Sequence, residues 1–147
     1  MAIRRVRIRE KINIPLETAY RIAADVARYP HFVPGVSKVA FLSDEGDQKM
    51  IRVSFRKWPF LEALTSRVTF DRNRSILIEP VARPFKGVSM QWTFEPAEES
   101  VWVSFKGEFN LPSALLRRLI GEVVVNYAEE ILEAFLSRAR QVYARHI

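Results

Sequence analysis

The feature that most constrains this chain lies at its C-terminal end, over residues 112–145. Leu116, Leu119, Ile120, Val123, Val124, Tyr127, Ala128, Ile131, Phe135, Ala139 and Val142 recur at steps of three and four. That is the period of a helix with a wide apolar face. Arg117, Arg118, Glu122, Glu129, Glu130, Glu133, Arg138 and Arg140 take most of the other side. Pro112 suits the first helical turn, where the missing N–H has no intrahelical partner to lose. At ~1.5 Å per residue the segment reaches roughly 50 Å, against about 33 Å for a ten-residue strand. Such a helix cannot bury its stripe on itself. The residues before it must form a surface that holds it.

Those residues read mainly as strands. Residues 3–14 alternate, with Val6, Ile8, Ile12 and Ile14 on one face and Arg5, Arg7, Arg9, Lys11 and Asn13 on the other; Glu10 interrupts the apolar face. This predicts a half-buried strand with a solvated basic side. A short helix is expected over Pro15–Arg28, with Ala19, Ile22, Ala23 and Val26 inward. It should stop before Tyr29-Pro30, because a residue preceding proline avoids helical geometry. The run Tyr29-Pro30-His31-Phe32-Val33-Pro34-Gly35 is too apolar for an exposed loop, and should pack as a turn or second small helix closing one end of the domain.

Six further strands follow, at Val36–Ser43, Lys49–Lys57, Leu61–Phe70, Ser75–Glu79, Val88–Glu95 and Val101–Phe109. Their short connections imply antiparallel hairpins. The predicted class is α+β: a curved seven-stranded antiparallel sheet gripping the long C-terminal helix, with short helices after the first strand, in one domain over residues 1–147. A strongly curved sheet need not close flush on a helix, which leaves room for an apolar cavity.

Composition narrows the function classes. The chain is 48% apolar with ten Phe, three Trp and four Tyr, which argues against disorder. No apolar run approaches the ~20 residues of a membrane span, and Met1–Arg7 lacks the apolar block of a secretory signal. With no cysteine there is no disulfide or thiol chemistry. The expected location is the cytoplasm, with peripheral contact at the inner face of the membrane. The net charge of +6 is mostly arginine, scattered with no like-charge block longer than two. A solvated basic surface accounts for it; an anionic partner is the alternative.

Catalytic groups are sparse. His31 and His146 stand apart, and nothing has the spacing of a metal site, a nucleophile elbow or a phosphate loop. No metal or cofactor is expected. Glu62, Arg67, Glu79 or Asn126 could serve a cyclase as acid, base or orienting group if they entered an apolar pocket; exposed strand positions explain them equally well. Phe55, Trp58, Phe60, Leu64, Ser66, Val68, Met90, Trp92, Phe94, Val103 and Phe105 could face Val124, Tyr127, Ala128 and Ile131 across a cavity, or fill a solid core. Glu62, Ser66, Arg67, Gln91 and Asn126 are the candidates for a ligand's polar head. Gly121 permits either a close approach to the helix or a bend. Trp58-Pro59-Phe60 and Val81-Ala82-Arg83-Pro84-Phe85 are apolar loops flanked by Arg56, Lys57 and Lys86. They suit a membrane interface or fold back on the short helices.

The segments Asp25-Val26-Ala27-Arg28-Tyr29-Pro30-His31-Phe32-Val33-Pro34, Val53-Ser54-Phe55, Glu62 with Ser66-Arg67-Val68, Arg83-Pro84-Phe85 and Trp92-Thr93-Phe94 carry a resemblance. So do Val103-Ser104-Phe105 before Phe109 and, in the tail, Ala134-Phe135, Arg138-Ala139 and Val142-Tyr143. In this order the chain resembles the START-like helix-grip superfamily, in its bacterial branch of polyketide cyclase/dehydrase-like, coenzyme Q-binding and RatA-type proteins. The resemblance implies a hydrophobic cavity and a carrier or chaperone for an isoprenoid quinone or other lipid. It also implies two rivals: a ribosome-associated protein, and a polyketide cyclase or dehydratase. At a ribosome, Arg5, Arg7, Arg9 and the Arg117–Arg118 pair would meet RNA phosphates. The sequence does not interleave aromatic residues with those charges for stacking, which counts against that rival.

Overall fold

The computed structural model describes residues 4–56, 63–81, 88–109 and 114–144. Strand β1 (Arg4–Ile12) leads to helix α1 (Leu16–Ala24), a 3-10 turn (Val26–Arg28) and the short helix α2 (Tyr29–Phe32). Six strands follow: β2 (Val36–Asp44), β3 (Gln48–Phe55), β4 (Ala63–Asp71), β5 (Ser75–Pro80), β6 (Val88–Ala97) and β7 (Ser100–Phe109). Helix α3 (Ala114–Ala144) ends the described chain with 31 residues, about 46 Å at the helical rise. The sheet is antiparallel throughout in the order β1-β7-β6-β5-β4-β3-β2. Each strand from β2 onward pairs with its successor, and the chain closes by laying β1 beside β7.

Helix α3 packs across β1 and β7 and touches α1 and α2. The expected stripe is buried at Tyr127, Ala128, Ile131, Phe135 and Ala139, widened by Leu132 and Leu136. Beneath it, strand alternation turns Trp92 and Phe94 of β6 and Val101, Val103 and Phe105 of β7 inward. The Trp92 ring lies 4.8 Å from Phe105 and 4.9 Å from Phe135, and Tyr20 of α1 meets Phe94 edge-on at 5.6 Å. These offset and edge contacts suit the ring quadrupoles. Together they make the solid part of the core, where the second half of α3 and helix α1 cover the sheet.

The first helix is shorter than expected. It ends at Ala24, where Asp25 leaves helical geometry at φ −82°, ψ 70°. Tyr29 is helical at φ −54°, ψ −38° although Pro30 follows it. Two features offset that restriction: Pro30 occupies the first turn of α2, where it forfeits no bond, and Tyr29 is anchored. Its hydroxyl donates to the Ala23 carbonyl at 2.5 Å, closing an otherwise open acceptor at the end of α1, and its ring meets Phe32 at 5.5 Å.

Candidate functional site: an apolar cavity beneath the long helix

Toward the first half of α3 the packing opens. Between the sheet and the Tyr127–Ile131 turn lies a cavity with about 100 Å3 of space open to the centre of a water molecule. Strands β3, β4, β5, β6 and β7 form its floor through Ile51, Val53, Leu64, Ile78, Met90 and Phe105, among others. Tyr29, Val33 and Val36, on and just after α2, close one side, and Val6 of β1 closes another. Trp92 marks the boundary, packed on Phe135 at one side and bare to the cavity at the other.

Gly107 keeps this space. It stands in register with Met90 on β6 and Val6 on β1, at a position where β7 points inward. A methyl group built there meets only the Ser89 carbonyl oxygen, at 4.0 Å. No close contact demands glycine; its effect is to withhold a side chain where Val101, Val103 and Phe105 supply one. Glycine within a strand weakens it and leaves room for something else to approach.

Among the described wall residues the ionisable groups are two phenols, both committed to the backbone. Tyr29 bonds Ala23, and the Tyr127 hydroxyl donates to the Pro34 carbonyl at 2.5 Å. Burial pushes both phenols well above their usual range, so both are neutral at pH 7. For Tyr29 the bond with Trp92 opposes that rise and the charge of Asp25 adds to it; for Tyr127 the charge of Glu130 adds to it. The aliphatic hydroxyl turned toward the wall is that of Ser66, which is buried; Ser89 alternates with the inward Met90, and its carbonyl oxygen is the atom nearest Gly107. The described wall therefore offers a space for carbon, with a few neutral hydrogen-bonding groups.

Of the residues expected there, Phe55, Leu64, Ser66, Met90, Trp92, Phe105, Tyr127, Ala128 and Ile131 line the cavity. Val68, Phe94 and Val103 do not: they are buried in the solid core. Arg67 and Gln91 are absent from the wall, because Ser66 and Val68, and Met90 and Trp92, take the inward positions beside them. Arg67 is exposed opposite Glu79, and Gln91 stands in register with Lys106. Asn126 is exposed on α3, one position from the inward Tyr127. Trp58, Phe60 and Glu62, the Ala82–Phe85 part of the second apolar loop, and the side chain of Val124 lie outside the described residues.

Val6, Tyr29, Val33, Val36, Ile51, Val53, Ile78, Pro80, Val88, Ser89 and Gly107 line the cavity without being among the candidates read from the sequence. The unusual apolarity of the Tyr29–Gly35 run is the signal for two of them, Tyr29 and Val33. Gly107 had one too, since it breaks an inward series of large residues on its strand.

A curved antiparallel sheet closed by one long helix over an apolar cavity defines a helix-grip, START-like protein. The sequence comparison agrees: residues 12–136 match the family model for polyketide cyclase / dehydrase and lipid transport proteins, and the chain belongs to that family. Among curated relatives, the ribosome association toxin RatA of Escherichia coli K12 is 30% identical over 129 residues, 87% of this chain and 82% of that one. Among solved structures, the ZhuI aromatase/cyclase from Streptomyces superposes with a TM-score of 0.84 at 20% identity, covering 95% of each chain. The STAR-related lipid transfer protein from Xanthomonas axonopodis superposes at 0.71 with 17% identity, over 92% of this chain and 85% of that fragment. These two identities speak to the fold alone.

Proposed function

We propose that this protein binds and carries a hydrophobic small molecule, an isoprenoid quinone or another lipid, with its apolar part in the cavity under α3. The observation that carries this reading is the cavity itself, walled by carbon and held open by Gly107. Burying apolar surface contributes about 25 cal/mol per Å2. Extraction from a bilayer returns little of that, so polar contacts to the ligand head decide affinity. Ser66 is the aliphatic hydroxyl that strand alternation turns toward the described wall.

The space is below the ~300–1,000 Å3 of drug-sized pockets, so a long tail requires wall side chains to move. Phe55, Leu64, Pro80 and Val88 line the cavity and flank the two apolar loops in sequence. We take these four residues as the side of the cavity at which a lipid enters from the inner face of the membrane. Among the described residues no helix is long and apolar enough to cross a membrane, so such contact would be peripheral.

Native mass spectrometry of the purified protein, followed by organic extraction, tests the proposal. A quinone or lipid at near-stoichiometric ratio supports it. An empty protein whose tryptophan fluorescence is unquenched by added quinone and that takes up no added lipid defeats it.

A second reading, association with the ribosome, is favoured by the relatives named for that activity. It predicts co-sedimentation with ribosomal subunits. The cyclase reading has less support: among the described wall residues there is no carboxylate, histidine or lysine to move a proton at neutral pH.

A further inference from the structure

The outer face of β1, β7 and β6 is a surface that the cavity does not use. Register places Arg5, Arg7, Arg9 and Lys11 of β1 beside Glu108, Lys106, Ser104 and Trp102 of β7, which in turn face Ser89, Gln91, Thr93 and Glu95 of β6. Five cations therefore share this face with two carboxylates. Arg7 and Arg9 both reach Glu95, at 3.7 and 3.6 Å, and Arg5 reaches Glu108 at 3.6 Å. Ion pairs that exposed are weak. Arg7 and Arg9 reach across β7 to make theirs, and the five cations leave the face with an excess of positive charge.

The fold also supplies what the linear sequence lacks, an aromatic ring among these charges. The Arg9 guanidinium stacks over the half-buried Trp102 ring, 4.1 Å from its centre. Along β1 the cations repeat every second residue, about 7 Å apart, so Arg5 to Lys11 spans roughly 20 Å and three strands give a width of about 10 Å. A cationic face of that size, with amide and hydroxyl groups between the charges, matches the sugar–phosphate backbone of a folded RNA. A lipid surface would call for protruding apolar groups. Trp102, the large ring on this face, lies under an arginine.

We infer that the outer face of β1-β7-β6, centred on Arg7, Arg9, Trp102 and Lys106, is an RNA-backbone contact surface. This deepens the second reading above and rests on it. The face lies on the opposite side of the sheet from the cavity, so ligand and RNA do not compete for the same atoms.

The test uses the full chain with two probes, isolated ribosomal subunits and protein-free ribosomal RNA, across a salt series. The face triple Arg7→Gln, Arg9→Gln, Lys106→Gln is compared with a control triple of exposed cations elsewhere, Arg21→Gln, Arg72→Gln, Arg74→Gln. Circular dichroism melts confirm that both fold. At about 0.1 M salt the face triple should bind RNA at least tenfold more weakly, with a log K versus log salt slope shallower by about 2–3. The control triple should keep the wild-type slope, and Trp102→Leu should weaken binding with the slope retained.

Equal losses from the two triples overturn the inference. So does wild-type binding to anionic vesicles but to neither RNA probe. Subunit binding that survives the face triple also overturns it and leaves the ribosome reading standing. A wild type that binds neither subunits nor RNA removes both.

Discussion

The Tyr127 hydroxyl on α3 donates to the carbonyl of Pro34, 93 residues earlier, and so ties the long helix to the segment after α2. That segment is pinned again one residue later, where the Gly35 carbonyl accepts from the Arg56 N–H at 2.7 Å. Gly35 makes the turn possible, at φ +81°. Tyr29, Val33 and Val36 come from this stretch into the cavity wall. The Tyr127–Pro34 bond therefore holds one side of the cavity shut.

Tyr127→Phe keeps the ring and removes the donor. The Pro34 carbonyl is left without that partner, so the variant should lose about 1–2 kcal/mol in urea unfolding. Because the lost contact latches a wall, ligand exchange should accelerate by more than the change in equilibrium affinity. Stopped-flow displacement of a fluorescent lipid reads this. Unchanged exchange with lowered stability would make the bond a general structural tie.

Gly107→Val is expected to act in the opposite sense on stability. The backbone at Gly107 is not in the left-handed region, a Cβ meets only the Ser89 oxygen at 4.0 Å, and valine suits a strand better than glycine. The new side chain fills space beside Val6 and Met90. The empty protein should gain about 0.5–1 kcal/mol, while lipid uptake falls at least tenfold. A variant that is both stabilised and fully competent for uptake would mean that ligand does not occupy this part of the cavity.

Much of this arrangement was legible in the sequence, for identifiable reasons. The C-terminal stripe and the alternation at Val6/Ile8 and Met90/Trp92/Phe94 are periodic over many residues, so they fixed the elements and which side faced inward. Which inward residues border a cavity, and which fill solid core, depends on where α1 and α3 lie along the sheet. Phe94 and Trp92 are two residues apart on one face, yet Tyr20 covers the first and the cavity touches the second. Arg67 and Gln91 stand among the head-group candidates of the sequence, but with Ser66 and Trp92 inward the period of two turns both away from the cavity. The meeting of Arg9 with Trp102 comes from the pairing of β1 with β7, the most distant strands in the chain, and no local pattern announces it.

The Ser104 hydroxyl is the one buried side-chain polar atom without a hydrogen-bond partner among the described residues. It sits on β7 between Arg9 and Thr93 in register, 1% exposed. An unpaired buried hydroxyl costs about 1–3 kcal/mol. Ser104→Ala removes the group and leaves almost the same volume, so the midpoint of denaturant unfolding should rise, by up to about 1 kcal/mol in free energy after the lost packing of one atom. A measured loss of stability would instead require a partner for that hydroxyl in solution.

The two wall tyrosines give the fold a defined alkaline limit. Burial raises both phenol pKa values above the unfolded value of about 10. The folded state thus holds protons that the unfolded chain releases. Their contribution is fully present below about pH 10 and is lost as pH rises from there toward the folded values. Each can add a slope of up to about −1.4 kcal/mol per pH unit. From about pH 9 to about pH 11, urea midpoints should fall more steeply for the wild type than for a Tyr29→Phe, Tyr127→Phe double variant, which lacks both protons but starts from lower stability at neutral pH. The two curves should therefore converge as the pH rises. If they stay parallel, the phenols ionise alike in folded and unfolded protein, and water reaches the cavity wall freely.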